Sequence, residues 1–380
     1  MKNKKISNGW QIKRLGAIFD TSAGGTPLKS CKHYYQGGAV PWIRSGEVCQ
    51  KDITESELCI TESGLKNSSA KIFPNNTVLI AMYGATAGQV GILRFASATN
   101  QAVCGIFPNQ SMLPEFLYFF LLLKKEEILK QAVGNAQPNI SQEKIKNIEV
   151  AFPPIEEQKR IVGILDEVFE GVAKAKENVE GNLRNVREVF EAYLQSVFAN
   201  RGKRWEENSL GNICEIYQPR TISTKEMKND GQYVVYGANG VIGKYDKYNH
   251  EEPQLLITCR GATCGSVNIS TPKAWINGNA MVVRPKDESL NREFLTYFFR
   301  NGSEISKTIT GAAQPQITRT TLAPLKIGFP KSLSEQKSIV TKLDALSTET
   351  KKLEAIYKTK LNHLEELKKS ILKKAFNGEL

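Results

Sequence analysis

The sequence is poor in the residues that carry most enzyme chemistry. Three histidines, His33, His250 and His363, lie far apart in 380 residues. Seven cysteines (Cys31, Cys49, Cys59, Cys104, Cys214, Cys259, Cys264) are odd in number and form neither a CxxC pair nor a Cys/His cluster of zinc spacing. They read as free thiols in a reducing cytoplasm, and no metal site is expected. No run approaches 18 apolar residues, and the basic start MKNKKISNGW leads into no apolar stretch. Neither membrane spanning nor secretion is therefore expected. Walker A, GxGxxG, Gly-x-Ser-x-Gly and HExxH are all missing, which removes the commonest nucleotide-binding and hydrolytic centres. The tetrapeptide Phe152-Pro153-Pro154-Ile155 approaches an amino-group methyltransferase signature but fails at both ends, and such prolines stop a strand and set a helix entry. No catalytic residue and no cofactor is assigned to this chain.

Proline is absent from two long stretches, 155–218 and 331–380, which permits two long helices. Ile161, Leu165, Val168, Val172, Ala175, Val179, Val186, Val189, Tyr193 and Val197 follow spacings of four and three, missing a beat at Asn182, as in a coiled-coil seam. The second stretch carries Ile339, Leu343, Leu346, Leu353, Tyr357, Leu364, Leu367 and Ile371, with Thr350 and Lys360 as polar interruptions. Each helix, at roughly 40 residues and about 1.5 Å per residue, would be about 60 Å long. Connectivity makes them antiparallel, packed on each other through Ile161, Leu165, Val168, Val172, Leu343, Leu346, Leu353 and Leu364. The plainer alternative is two amphipathic helices lying on unrelated domains.

What precedes each helix is repeated. GNAQPNIS (134–141) returns as GAAQPQIT (311–318), and Glu157-Gln158-Lys159 returns as Glu335-Gln336-Lys337. WQIKRLG from Trp10 returns as WEENSLG from Trp205, VLIAMYGATAG (78–88) as LLITCRGATCG (255–265), and PEFLYFFLL (114–122) as REFLTYFFR (292–300). The repeat divides the chain into a domain over 1–154, a helix over 155–200, a second domain over 201–331 and a second helix over 332–380. Each domain reads as α+β: short strands, a hairpin whose Gly-Ala-Thr-x-Gly allows positive φ, and a helix whose aromatics face the core.

The balance of 51 Lys+Arg against 39 Asp+Glu, net +12 with a sequence pI of about 9.2, favours a polyanionic partner. Loop side chains suited to base edges or phosphates are Lys29, Arg44, Ser45, Tyr83, Thr86, Asn100, Gln101, Asn135, Gln137 and Asn139 in the first copy. The second copy offers Arg220, Tyr236, Asn239, Arg260, Thr263, Asn277, Asn279, Gln314 and Gln316. Arginine reads guanine, and Asn or Gln reads adenine bidentately; for each amide a plain turn hydrogen bond is the alternative. Gly24-Gly25-Thr26-Pro27 lacks the second glycine of a nucleotide loop, leaving a phosphate contact or a simple turn open.

The order of variable domain, AQPxI, Phe-Pro-x(2–3)-Glu-Gln-Lys and long helix, given twice, resembles the specificity (S) subunit of type I restriction-modification systems. GGTP, VPWIRSGEV, GATxG and PPIEEQKRI carry the likeness across nearly the whole chain. The resemblance implies two target-recognition domains related by a pseudo-two-fold, each reading one half of a bipartite site in double-stranded DNA. It implies helices that set the gap and dock two methyltransferase (M) subunits, with restriction (R) subunits binding that core, in the cytoplasm. S-adenosylmethionine, ATP and Mg would sit on those partners. Two departures suggest local differences: Gly171 and Gly181 in the first helix imply a bend or a close helix contact, and Arg319-Thr320-Thr321, where the first copy has Gln142-Glu143-Lys144, implies a different exit loop. The rival readings are a coiled-coil adaptor whose end domains bind other ligands, and a stand-alone nuclease or methyltransferase.

Overall fold

The computed structural model describes residues 9–130, 139–302, 304–311 and 313–380. The chain divides into two compact units, one running to Asn178 and including Lys360–Leu380, the other Val179–Thr359. Each holds one α+β domain and parts of both long helices. All seven cysteines are free.

In the first domain a sheet runs in the order Thr21–Ala23, Val103–Ile106, Val78–Ala81, Val90–Leu93, Asp52–Ile53. Another runs Cys59–Ile60, Val40–Ile43, Ser97–Thr99, Ile72–Phe73. Strand Val78–Ala81 is apolar throughout because both its faces are covered. Val78 and Ile80 face a core with Phe116, Phe119 and Phe120 of helix Pro114–Lys130, while Leu79 faces a smaller core with Ile43, Ile53 and Phe73. The second domain repeats the arrangement. Leu255 and Ile257 of strand Leu255–Thr258 join Phe294, Phe298 and Phe299 of helix Arg292–Arg300, and Leu256 joins Ile276 and Val282 on the other face. The aromatic runs are core in both copies.

Each domain is closed where it meets its helix. Gln11–Arg14 pairs antiparallel with Glu149–Phe152, and Trp205–Ser209 with Lys326–Pro330, so the entering and leaving strands lie side by side. The long helices run from Ile155 to Ala199 and from Leu333 to Asn377. Their starts are fastened by a fully buried glutamine. Gln158 accepts from the Leu113 N–H at 2.9 Å and donates to the carbonyls of Ser111 (3.0 Å) and Pro153 (2.8 Å). Gln336 accepts from the Asn291 N–H at 2.7 Å and donates to Ser289 and Pro330, both at 2.8 Å. The middle residue of the repeated Glu-Gln-Lys thus joins three pieces of backbone: the strand's end and the loop before the core helix, at two points.

Within the first unit the two helices run antiparallel: Arg160 donates to the Leu380 carbonyl (2.6 Å) and Lys176 pairs with Glu365 (3.3 Å), one number rising as the other falls. Within the second unit Arg187 meets Glu354 at 2.9 Å, while Leu194 and Phe198 share a core with Leu343 and Val340. The seam differs from the expectation in one respect. Ile161 and Leu165 belong to the first domain's core, with Leu372, Ala375 and Phe376, and Leu343 to the second's. Val172 is buried, Val168, Leu346 and Leu364 are half-buried, and Leu353 stays 39% exposed. Val189, Tyr193 and Leu367 are exposed too, because two helices packed on each other cover one face of each and leave the rest to solvent. The expectation of a close helix contact at the glycines also fails: a Cβ at Gly171 would meet nothing within 4 Å and one at Gly181 only the end of the Arg184 side chain at 4.0 Å. So does the exit-loop expectation, since Gln142–Lys146 and Arg319–Leu322 are both short helices, capped by the Ser141 and Thr318 hydroxyls.

Gln158→Ala or Gln336→Ala would leave buried backbone groups unpaired, at about 1–3 kcal/mol each. Each variant, losing three partners, is expected to lose at least about 3 kcal/mol of stability in urea unfolding of the full chain, more than an exposed Gln101→Ala would.

Candidate nucleic-acid interface

The repeated motifs that lie far apart in sequence meet at one edge of each domain. In the first, the hairpin between Val78–Ala81 and Val90–Leu93 turns through a tight Gly84–Thr86 loop, with Gly84 at φ 70° and Gly88 at φ 76°. In the second, Gly261 (φ 87°) and Gly265 (φ 89°) hold the same positions between Leu255–Thr258 and Val267–Ile269. These left-handed conformations strain any residue with a Cβ, which accounts for both glycines of GATxG.

Against each loop lies the AQPxI segment. Tyr83 and Asn139 form a β-bridge, and so do Arg260 and Gln316. The Ile140 N–H donates to the Met82 carbonyl and the Ile317 N–H to the Cys259 carbonyl, both at 2.9 Å. The Met82 N–H in turn reaches the Ala102 carbonyl (2.8 Å) and the Cys259 N–H the Asn279 carbonyl (3.3 Å). Three segments therefore converge, and they carry Tyr83, Thr86, Asn100, Gln101 and Asn139 in one domain and Arg260, Thr263, Asn279 and Gln316 in the other. Tyr83, Gln101, Asn139, Arg260, Thr263, Asn279 and Gln316 are exposed there. Burial pushes the Cys259 thiol at the loop's root up to about 11, which keeps it neutral. The spatial pairing escaped sequence reasoning, yet GATxG and AQPxI recur with the same offset of 177 whereas Glu-Gln-Lys recurs at 178. The repeat of Phe198 at Phe376 was also missed; their rings pack on Phe294 and Phe116 at 5.3 and 4.8 Å.

Other candidates stand differently. Lys29, Arg220, Asn239 and Gln314 are exposed on loops, and Ser45 is half-buried. Thr86 is half-buried, its hydroxyl turned to the Tyr83 carbonyl. The Asn100 side chain accepts from the Ala102 N–H at 3.2 Å, a turn bond, and Gln101 accepts from the Thr26 hydroxyl. Arg44 is already engaged by Glu47 and Glu57. Asn135 and Gln137 lie outside the described residues. Two expectations are corrected. Asn277 is 3% exposed, its oxygen accepting from the Ile222 N–H (3.0 Å) and the Trp275 indole (3.1 Å) and its amide donating to the Ile222 carbonyl. Tyr236 is 7% exposed, with its hydroxyl taken by the Thr271 N–H. Both serve the fold: Tyr236 sits on the middle strand of its three-stranded sheet, and Asn277, just past strand Trp275–Ile276, ties that segment to the Ile222 backbone. The Gly24-Gly25 stretch is taken up by neighbouring strands and is free for neither a phosphate nor a local turn bond: its N–H groups go to the Val103 and Thr99 carbonyls, and a Cβ on either glycine would lie within 2.5 Å of neighbouring backbone.

His250 is no free acid or base. Its Nδ1 meets Asn249 Oδ1 (2.7 Å), which already accepts from the Ile276 N–H, so Nδ1 carries the proton and Nε2 accepts from the Tyr217 hydroxyl at 2.9 Å. Burial, with the Arg284 charge, holds its pKa below the usual histidine value. Among the described residues no group of three or more His, Cys, Asp or Glu gathers to hold a metal ion, and no helix is long and apolar enough to cross a membrane.

A family model for the type I restriction modification DNA specificity domain matches residues 7–180 and 202–365. The type I restriction enzyme MjaIX specificity subunit of Methanocaldococcus jannaschii is 29% identical over 242 residues, covering 59% of this chain and 56% of that protein. The EcoR124I/EcoR124II specificity subunit of Escherichia coli is 26% identical over 49% of this chain and 48% of its own length. These two alignments thus span about half of each relative; that to the M. jannaschii MjaVIII specificity subunit, at 22% identity, spans 100% of this chain and 95% of that one. Among solved structures, a chain from work on complex assembly and conformational transition of the type I R-M system superposes with TM-score 0.82 at 22% identity, over 99% of this chain and 100% of that chain. The HsdS subunit of Thermoanaerobacter tengcongensis gives 0.63 at 21% identity, over 100% and 99%. These likenesses establish the fold.

Asn277→Ala is expected to lower the stability of the full chain by about 1–3 kcal/mol, whereas Arg260→Ala should stay within about 0.5 kcal/mol of the parent. Urea unfolding of both separates the fold-bearing side chain from the one left for a ligand.

Proposed function

The chain belongs to the type I restriction-modification DNA specificity family, and from that premise we propose that each of its two domains reads one half of a split site in double-stranded DNA. The observation that carries this is the repeated loop cluster: the same glycine-held hairpin and the same bridge present Tyr83 and Asn139 in one domain and Arg260 and Gln316 in the other. A shared frame with different exposed side chains suits one task performed on two sequences. Arginine and Gln are residues that discriminate guanine and adenine, at about 1–3 kcal/mol for a good bidentate contact. The net charge of +12 supplies the salt-dependent phosphate attraction that such reading needs.

The role is recognition, and the chemistry falls to partners. Both long helices pass unbroken from one compact unit into the other, which supports their setting the gap between half-sites. The exposed apolar side chains along them, Val189, Tyr193, Leu353 and Leu367, suit the docking of two methyltransferase subunits, with restriction subunits joining that core. S-adenosylmethionine, ATP and Mg would be bound by those subunits in the cytoplasm. The loop cluster's hydrogen-bonding side chains favour DNA reading over a protein adaptor.

Exchanging residues 205–310 for the matching segment of another family member tests this. In the full chain assembled with its methyltransferase partner, methylation-sensitive sequencing should show one half-site changed and the other kept. A change in both would contradict separate reading.

A further inference from the structure

The two domains share a parallel strand pair and then part company. In the first, Val40–Ile43 runs beside Ser97–Thr99, and its antiparallel neighbour Cys59–Ile60 is reached through residues 44–58. In the second, Tyr233–Gly237 runs beside Trp275–Ile276, and its antiparallel neighbour Gly240–Tyr245 follows after Ala238 and Asn239 alone. Where the first domain has a long connection, the second has a two-stranded ribbon with a tight turn, closed by Gly240 at φ 103°.

The ribbon's outer strand is an edge, and near the tip it bears Val241 at 62% and Ile242 at 50% exposure. Val241 pairs with Tyr236 and Gly243 with Val235, so Ile242 is the extra residue of a bulge on the outer strand, a place where the strand is bent and a side chain re-aimed. Ile242 lies over Gly237, where a Cβ would come within 2.6 Å of it, and Lys244 follows on the same strand, exposed. An apolar edge strand is a liability unless it has a task. The tip is also held against the two strands of the hairpin that carries the loop cluster: the Thr258 hydroxyl donates to the Ala238 carbonyl, and Asn268 donates to Asn239 Oδ1 at 3.4 Å.

Resting on the DNA-reading function above, we propose that the tip and outer strand of the ribbon, residues 238–245, enter the major groove of the second domain's half-site, with Val241 and Ile242 against thymine methyl groups. A two-stranded ribbon fits that groove, and apolar side chains distinguish thymine there by its C5 methyl. Lys244 answers the phosphates beside it. The second domain's sequence preference then comes jointly from the ribbon and from the cluster of Arg260 and Gln316.

The test uses the full chain in complex with its methyltransferase partner, the Val241→Ser/Ile242→Ser double variant, and duplexes carrying the mapped site with each thymine of the second half-site replaced in turn by uracil, which removes only the methyl. The parent is expected to bind at least one uracil duplex several-fold more weakly. The double variant, with unchanged Tm and unchanged complex assembly, should bind the thymine duplex about tenfold more weakly and no longer distinguish it from uracil. Sequence-specific binding by the variant with the parent's thymine preference would overturn the ribbon proposal alone, as would a variant defective only in assembling with the methyltransferase. A complex that binds no duplex would overturn the DNA reading and the ribbon with it.

Discussion

A neutral amide buried at the root of each long helix is the constraint on which the rest depends. Gln158 and Gln336 each hold the last residues of a closing strand and the loop before the core helix against a helix start. An amide fits this place because it accepts one bond and donates two without a charge to desolvate; a carboxylate there would lose both donors, and an alkyl chain all three partners. The consequence is mechanical. Each sheet domain cannot pivot on its helix without breaking several buried hydrogen bonds, so the loop cluster keeps a fixed attitude to the helix axis. Base discrimination worth about 1–3 kcal/mol per contact is lost if the contact geometry wanders.

Around that joint the structure separates what is repeated from what differs. Strand pairing, the positive-φ glycines, the bridge from AQPxI to the hairpin and the aromatic packing of Trp10 and Trp205 on Phe116 and Phe294 recur in both domains. The differences collect at the exposed ends of this frame, as Tyr83 against Arg260, Asn139 against Gln316, and a long connection against a ribbon. Under the proposed function, stability and specificity would reside in different residues, which would let one change without the other.

Much of this was legible in the sequence because it was written twice. The repeat, the proline-free stretches and the glycine spacing led to the two α+β domains and the antiparallel helices. Individual site residues were less legible for a physical reason. A polar side chain on a glycine-rich segment looks the same whether it faces solvent or caps its own backbone. Tyr236 turned inward because its strand is the middle one of three, Asn277 because it binds the Ile222 backbone, and Arg44 met Glu47 three residues on and Glu57 from further along the chain. The helix pattern likewise does not tell a seam from a domain core, so Ile161 and Leu165 read as coil although they pack on a sheet domain.

On the proposed function, two readers carried by the same pair of long helices would both dock only when their half-sites have the matching separation, and B-DNA repeats its helical phase every 34–36 Å or so. Lengthening both long helices by the same number of whole turns, then mapping modified sites in host DNA with the methyltransferase partner present, tests that claim most directly. The account predicts both half-sites unchanged and a longer gap between them. An unchanged gap with full modification would contradict it.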